Sequence, residues 1–66
     1  MIDLNLLKQG DLVRKEMRRG PTSIIDFYIF INVSVQMENV CILNVLDIKT
    51  LQYKNISKGL LKHESR

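Results

Sequence analysis

The chain has little of what stabilises most proteins of its size. Its 66 residues include one cysteine, one histidine, no tryptophan and no alanine. A single cysteine excludes an internal disulfide, and a single histidine leaves too few ligands for a structural zinc site. A chain this short buries only about 60% of its unfolded surface, so tight packing or a partner must supply further stability. The free thiol of Cys41 fits a reducing compartment, and we expect a cytoplasmic location.

A long uninterrupted apolar run and a secretion signal are also lacking. The most apolar stretch, residues 23–47, is broken by Asp26, Asn32 and Glu38 among others, and such groups are costly inside a bilayer. The N-terminus carries Asp3 and has neither a basic start nor a long apolar segment. We therefore expect no membrane span and no membrane partner.

The same stretch predicts a β-strand rather than a helix. Nine of the twelve residues from 24 to 35 are β-branched or aromatic, types that suit a pleated surface and lose rotamer freedom in a helix. The apolar residues at every second position are Ile25, Phe27, Ile29, Ile31, Val33 and Val35. This period predicts a half-buried strand with that row facing inward and with Tyr28 and Phe30 on the opposite face.

A second apolar run, residues 40–47, follows closely and predicts a hairpin. A three-residue loop, Met37-Glu38-Asn39, suits this turn because Asn39 tolerates the left-handed conformation. The pairs expected from it are Val35 with Cys41, Val33 with Leu43, Ile31 with Val45, and Asn32 with Asn44. A two-residue loop would pair Val33 with Asn44 and mix the two faces.

Shorter strands are expected on both sides of the hairpin. Residues 11–17 follow a Gly-Asp turn and precede the loop "RRGPTS", and residues 51–57 alternate weakly. The segment after residue 57 predicts a 3₁₀ turn or a last strand. An amphipathic helix over residues 51–63 stays open as an alternative.

Three segments in this order resemble the SH3-like small-barrel proteins of tailed bacteriophages. They are "LKQGDLVRKE", the long central hairpin, and "IKTLQYKNISKGLLKHES". In that group a Gly-Asp-Leu-Val strand opens the barrel, and a polar strand, a short turn and Leu-Lys close it. The resemblance covers most of the chain. It implies an all-β fold, a small SH3-like barrel or highly curved sheet of about five antiparallel strands, as one domain over residues 1–66.

The function implied by this resemblance is binding, since members of the group are mostly non-catalytic modules. We expect a protein partner or a homo-oligomer, in a host cytoplasm or a virion. The chain would act as a regulator or inhibitor that binds a host factor, or as a small virion or assembly component. The "RRGPT" loop lacks the glycine-and-aromatic pattern of the nucleic-acid-binding relatives.

Catalytic sets are not found in the sequence. The acidic residues show no paired spacing, and His63, beside Glu64 and Ser65, is interpreted as part of a solvated C-terminus rather than of a catalytic triad. Cys41, on an inward strand position, is interpreted as a small buried hydrophobe. We expect no enzymatic activity, no cofactor, no metal and no small-molecule substrate.

Charge divides the chain into three parts. Residues 20–48 carry three acidic and no basic side chains, whereas the segments on either side carry five basic side chains each. In a small barrel these segments can meet and form a basic patch, which would attract phosphates. The candidate patch is Arg14, Lys15, Arg18, Arg19, Lys54, Lys58 and Lys62. It makes nucleic acid the alternative partner, and a solvated basic surface is the plainer interpretation.

A second candidate surface is apolar. Tyr28 and Phe30, on the face opposite the Ile/Val row, form a candidate protein interface because aromatic residues are enriched there. Simple burial of both rings is the competing interpretation, since long strands of a curved barrel contribute to the core with both faces.

Overall fold

The computed structural model of the chain describes residues 2–64 and contains five antiparallel strands in one sheet. The strands are β1 (Leu12–Arg19), β2 (Thr22–Met37), β3 (Val40–Asp47), β4 (Gln52–Ser57) and β5 (Lys62–His63), with a 3₁₀ turn (Lys58–Leu60) between β4 and β5. Their order in the sheet is β4-β3-β2-β1-β5. The predicted all-β class and the long central hairpin are confirmed.

The sheet is open, so the predicted barrel is wrong in its closure. β4 and β5 are its two edges, and no ladder joins them within residues 2–64. β5 has only two residues, which pair with Val13 and Arg14 of β1, and the 3₁₀ turn separates it from β4. A highly curved sheet was the other form expected from the sequence.

The central hairpin contains two irregularities that the sequence pattern does not reveal. β2 pairs with β3 through Met37↔Val40, so the loop has two residues, Glu38 and Asn39, and the predicted three-residue loop is wrong. The ladder then shifts twice, between Val33 and Val35 and between Phe30 and Asn32. Each shift adds one unpaired residue to β2, as in a β-bulge. Because the first shift offsets the shorter loop, the predicted pairs Val33↔Leu43 and Asn32↔Asn44 are still formed.

The same irregularities overturn the predicted faces of β2. Tyr28 and Phe30 are buried, at 4% and 6% exposure, whereas Ile25 and Phe27 are exposed, at 42% and 38%. A residue added to one strand exchanges the two faces beyond it, so the row that seemed continuous changes side at the bulges. The candidate interface of Tyr28 and Phe30 is therefore wrong, and the competing interpretation, burial, is the correct one.

The core lies on one face of the sheet and is small. Its buried apolar members are Ile2, Leu7, Val13, Tyr28, Phe30, Leu43, Val45 and Leu61. Ile2 and Leu7 come from the segment before β1, and Leu61 follows the 3₁₀ turn, so the two ends of the described chain cover the face that β1, β2 and β3 form. Cys41 is half-buried and packs against this core.

The shorter elements lie close to where they are expected. β1 covers most of the predicted strand at residues 11–17, and β4 begins one residue after the predicted start at 51. Leu51 just before it has a left-handed backbone, with φ of 59°. The segment after β4 contains both predicted alternatives, a 3₁₀ turn followed by a short strand, and the amphipathic helix over residues 51–63 is not formed.

Candidate functional site

The seven basic residues of the candidate patch do not form one surface. Lys54 lies on β4, at the edge of the sheet opposite β5. Its side chain is on the core side, across from Val45, and its Nζ donates a hydrogen bond of 2.8 Å to Oδ2 of Asp47. A charged side chain that points inward from an edge strand also protects that edge from pairing with another strand. Lys54 is therefore a structural residue.

This ion pair changes the pKa of both partners. The hydrogen bond from Lys54, together with one from the backbone N–H of Lys49, lowers the pKa of Asp47 below its ordinary value. The same hydrogen bond with Asp47 raises the pKa of Lys54. Burial is the main cause that raises the pKa of Tyr28, with the nearby carboxylates of Asp26 and Asp47 adding to it. All three groups therefore keep their usual neutral-pH charge states.

Three of the basic residues come together beside β5. Arg14 is the direct partner of Lys62 in the β1–β5 ladder, and Arg18 and Lys62 line a groove of about 470 Å³ that Leu60 also lines. Nε of Arg14 lies 3.4 Å from Oε2 of Glu64. These three side chains belong to the face of the sheet opposite the core, because directly opposed residues and alternate residues of a strand share a face.

The remaining basic residues lie elsewhere. Lys15 and Arg19 alternate with Val13 along β1 and so lie on its core side, beyond the end of the core. Lys58, in the 3₁₀ turn, lines a different groove of about 360 Å³ against the β2–β3 loop. The predicted patch is thus divided into a trio beside β5, a pair on the core side of β1, and two separate lysines.

The face of the sheet opposite the core, here called the outer face, is mostly apolar. An apolar row crosses four strands in direct register: Leu12, Ile29, Leu46 and Tyr53. Tyr53 is 68% exposed, and the other three are half-buried. Exposed apolar residues on the same face beside this row are Ile25, Phe27, Val35, Met37 and Val40.

An amide row divides this apolar surface. Asn32, Asn44 and Asn55 are direct partners across β2, β3 and β4, and Asn32 and Asn55 are exposed. The row separates the apolar row of Leu46 from a second apolar group near the β2–β3 loop. The sequence predicted the pairing of Asn32 with Asn44. It also placed Ile29 and Val35 in the core, although both lie on the outer face on either side of Asn32. The near-continuous apolar character of β2 and β3 is the signal that both faces are apolar.

His63, the residue considered for a catalytic triad, contacts a carboxylate from the other end of the described chain. His63 is half-buried, and its Nε2 lies 3.1 Å from Oδ2 of Asp11, so the prediction of a solvated tail is wrong for this residue. The contact ties β5 to the start of β1. Ser65 lies outside the described residues. Among residues 2–64, no group of three or more His, Cys, Asp or Glu side chains could hold a metal ion.

Comparison with known proteins gives no relative: no family model, no curated protein and no solved structure matches the chain. In the described part of the chain, no helix has the length and apolar character needed to cross a membrane.

Proposed function

We propose that this chain is a non-enzymatic protein-binding module and that the outer face is its contact surface. The observation that carries the proposal is the apolar row Leu12–Ile29–Leu46–Tyr53, which continues across four strands without a covering element among residues 2–64. Exposed apolar patches bordered by polar residues are typical of protein interfaces. The resemblance to small barrel proteins of tailed phages supports a binding role and is the only basis for a viral setting, as a host-factor-binding regulator or inhibitor or as a virion component.

The partner that the geometry favours is a second copy of the chain. In such a dimer the two outer faces meet, and a two-fold axis runs parallel to the strands between β2 and β3. Rotation about this axis leaves each residue at the same position along the strand direction, so each cross-strand row faces the same row of the second copy. The amide row would then face the amide row, and the apolar row would face the apolar row. The basic trio beside β5 would not lie over Tyr53, Asn55 or Ser57. Arg14 pairs with Phe27, beyond the Tyr28↔Asp47 pair, so the trio lies outside the level of the apolar and amide rows.

The size of the outer face predicts a weak, reversible dimer. Four strands about 4.8 Å apart and eight residues with a rise of about 3.4 Å give a footprint of roughly 500 Å². Standard protein interfaces bury about 800 Å² on each partner. We therefore expect the dimer to dissociate on dilution rather than to be permanent.

Sedimentation velocity over a range of protein concentrations tests the proposal. The wild-type mass should rise towards that of a dimer, whereas Leu46→Asp, which introduces a charge at the centre of the outer face, should remain monomeric. Tyr53→Asp serves as the second variant, because Tyr53 is more exposed and its replacement is less disruptive to folding. Leu6→Asp is the matched control, since Leu6 is 64% exposed and lies outside the outer face.

The outcomes are distinct. Loss of association in the two outer-face variants, with association kept in Leu6→Asp and circular dichroism unchanged in all, supports the proposal. A wild-type protein that stays monomeric at every concentration, or a Leu6→Asp variant that loses association equally, overturns the second copy as the partner.

A further inference from the structure

The outer half of the β1–β2 hairpin, residues 15–26, is a two-stranded ribbon that extends beyond the rest of the sheet. β1 and β2 pair with each other from Lys15↔Asp26 to Arg19↔Thr22. β5 reaches only Val13 and Arg14, and the pairing of β3 with β2 ends at Tyr28. Both edges of the ribbon therefore lack a neighbouring strand within residues 2–64.

The ribbon is exposed except at its base, where Lys15 and Asp26 are half-buried. Every residue from 16 to 25 is exposed, and no ribbon residue belongs to the core. A two-residue turn, Gly20-Pro21, closes the ribbon, and Gly20 has a positive φ of 60°, which glycine adopts at little cost. The ribbon is therefore stabilised by the hydrogen bonds and side-chain pairs between its two strands, and not by packing against the hydrophobic core.

The ribbon carries three basic and two acidic side chains, and only basic ones, Arg18 and Arg19, lie near its tip. Lys15, Arg18 and Arg19 form no ion pair with any residue from 2 to 64, whereas Arg14, Lys49 and Lys54 each have a carboxylate partner. The ribbon's carboxylates are Glu16 and Asp26, and Asp26 lies 3.6 Å from Lys49. Lys15 lies at the base of the ribbon, directly across from Asp26, so the field around the tip is that of two arginines available to an anionic partner.

These cations lie on both faces of the ribbon. Arg18 is on the outer face and Arg19 on the core side, because successive residues of a strand point to opposite faces. A flat anionic surface could contact only one of these faces at a time. A groove with an anionic wall on each side could contact both, and the major groove of B-form DNA, about 12 Å wide, admits a two-stranded β-ribbon.

The apolar pair of the ribbon is compatible with the same ligand. Met17 and Ile24 are direct partners and are 39% and 45% exposed. Apolar side chains in the major groove contact the methyl group of thymine. Met17 and Ile24 lie on the core side, with Lys15 at the base and Arg19 at the tip, so this side of the ribbon combines phosphate-binding side chains with an apolar pair able to meet base edges.

We infer that the ribbon is a duplex-DNA-binding arm that lies in the major groove, with Lys15, Arg18 and Arg19 on the phosphates. This activity is separate from the self-association proposed above, because the Leu12–Ile29–Leu46–Tyr53 row lies outside the ribbon. Binding through phosphates makes the arm sequence-tolerant, since phosphate contacts position a protein without specifying sequence.

Fluorescence anisotropy with a labelled mixed-sequence DNA duplex tests this inference. Three neutralised phosphates at a slope of about −0.9 each give a log–log salt slope of roughly −3, or about a 40-fold loss of affinity between 50 and 200 mM salt. Arg18→Ala with Arg19→Ala should lower affinity by more than about tenfold at low salt and reduce the slope by about two. Lys8→Ala with Lys58→Ala removes the same net charge at sites outside the ribbon and should leave both values nearly unchanged.

A duplex RNA of the same sequence is the matched ligand control. A-form RNA has the same charge but a deep, narrow major groove that side chains cannot read, so the arm should bind it more weakly than the DNA. Preference for DNA that is lost in the arginine variant supports the inference. Absence of DNA binding, equal affinity for the two duplexes, or an equal effect of the lysine control variant overturns it. The Leu46→Asp variant should still bind DNA, so failure of self-association and failure of DNA binding are distinguishable.

Discussion

The two faces of the sheet have nearly the same composition but differ in what covers them. On the core face, Val13 and Tyr28 are neighbours across β1 and β2 and are buried. One residue along, Leu12 and Ile29 are neighbours on the outer face and are only half-buried. The core face is covered by the segment before β1 and by Leu61, whereas no element of residues 2–64 lies over the outer face.

This difference shows which apolar face the described residues leave uncovered. Strands that are buried on both faces have near-continuous apolar runs, whereas strands with one wet face alternate. The runs in β2 and β3 are of the first kind, yet the described part of the chain covers only one face. The second face is therefore the one that a partner would cover.

The largest expected effect is the loss of stability when a leucine of the core face is truncated, compared with the same truncation on the outer face. Leu43→Ala on the core face should lower the free energy of unfolding by about 2–5 kcal/mol, since Leu43 is fully buried. A chain of this size has roughly 3–10 kcal/mol in total, so much of its stability would be lost. Leu46→Ala on the outer face should cost only about 1 kcal/mol in dilute protein. Urea unfolding measures both.

Protein concentration sharpens this comparison. If a second copy covers the outer face, the cost of Leu46→Ala should grow as the concentration rises, because association stabilises the folded state by mass action. The cost of Leu43→Ala should change much less. Equal costs for the two variants in dilute protein would contradict the assignment of faces.

A smaller effect is expected from acid, at the Asp47–Lys54 pair. Because the pKa of folded Asp47 is lowered, chiefly by the hydrogen bond from Lys54, its contribution to stability is fully present above the unfolded pKa, at about 4. The contribution is lost as the pH falls through the lower, folded pKa. Lys54→Met should therefore reduce the loss of stability between neutral pH and acid.

The control for this pair is Lys58→Met, the same replacement at a lysine without a carboxylate partner among residues 2–64. It should keep the wild-type loss of stability on acidification, as measured by urea unfolding at each pH. A Lys54→Met variant with the wild-type acid dependence would contradict the role of the pair.

The smallest effect is expected at the turn before β4. Leu51 is 73% exposed and has a φ of 59°, a left-handed conformation that costs a side-chain-bearing residue roughly 1–2 kcal/mol. Leu51→Gly should raise the thermal midpoint, with a net gain of about 0.5–1 kcal/mol after the entropy of glycine is subtracted. Leu60→Gly, at an exposed leucine without a positive φ, should lower it. Destabilisation by both would contradict the strain at Leu51.

The fold class was predictable from the sequence because it depends on local signals. β-branched residues, the absence of alanine and the turn residues around Gly10 and Gly20 predict the strands and their approximate bounds. Matching of polar and apolar residues across the hairpin predicted two of its pairs, Val33–Leu43 and Asn32–Asn44. The other two predicted pairs are wrong, since Val35 pairs with Ile42 and Val45 with Phe30.

The faces and the candidate surfaces were not predictable in the same way. A β-bulge adds one residue without a sequence signature as clear as a turn. The first bulge in β2 offsets the shorter loop, and the second reverses the inward side for the residues that precede it in the chain. Whether Lys54 joins Arg18 or pairs with Asp47 depends on strand order, which composition does not encode. The outer-face row and the exposed ribbon appear only once the register of four strands is known.

Amide chemical shifts measured over a dilution series test the central claim most directly, because they report the surface that a second copy covers in the unmodified protein. The outer-face assignment predicts that shifts of Ile29, Asn44, Leu46 and Tyr53 change with concentration along a single binding curve, while those of Leu6 and Leu60 stay constant. Concentration-independent shifts, or changes confined to residues away from the outer face, would contradict the claim that this face is the protein contact surface.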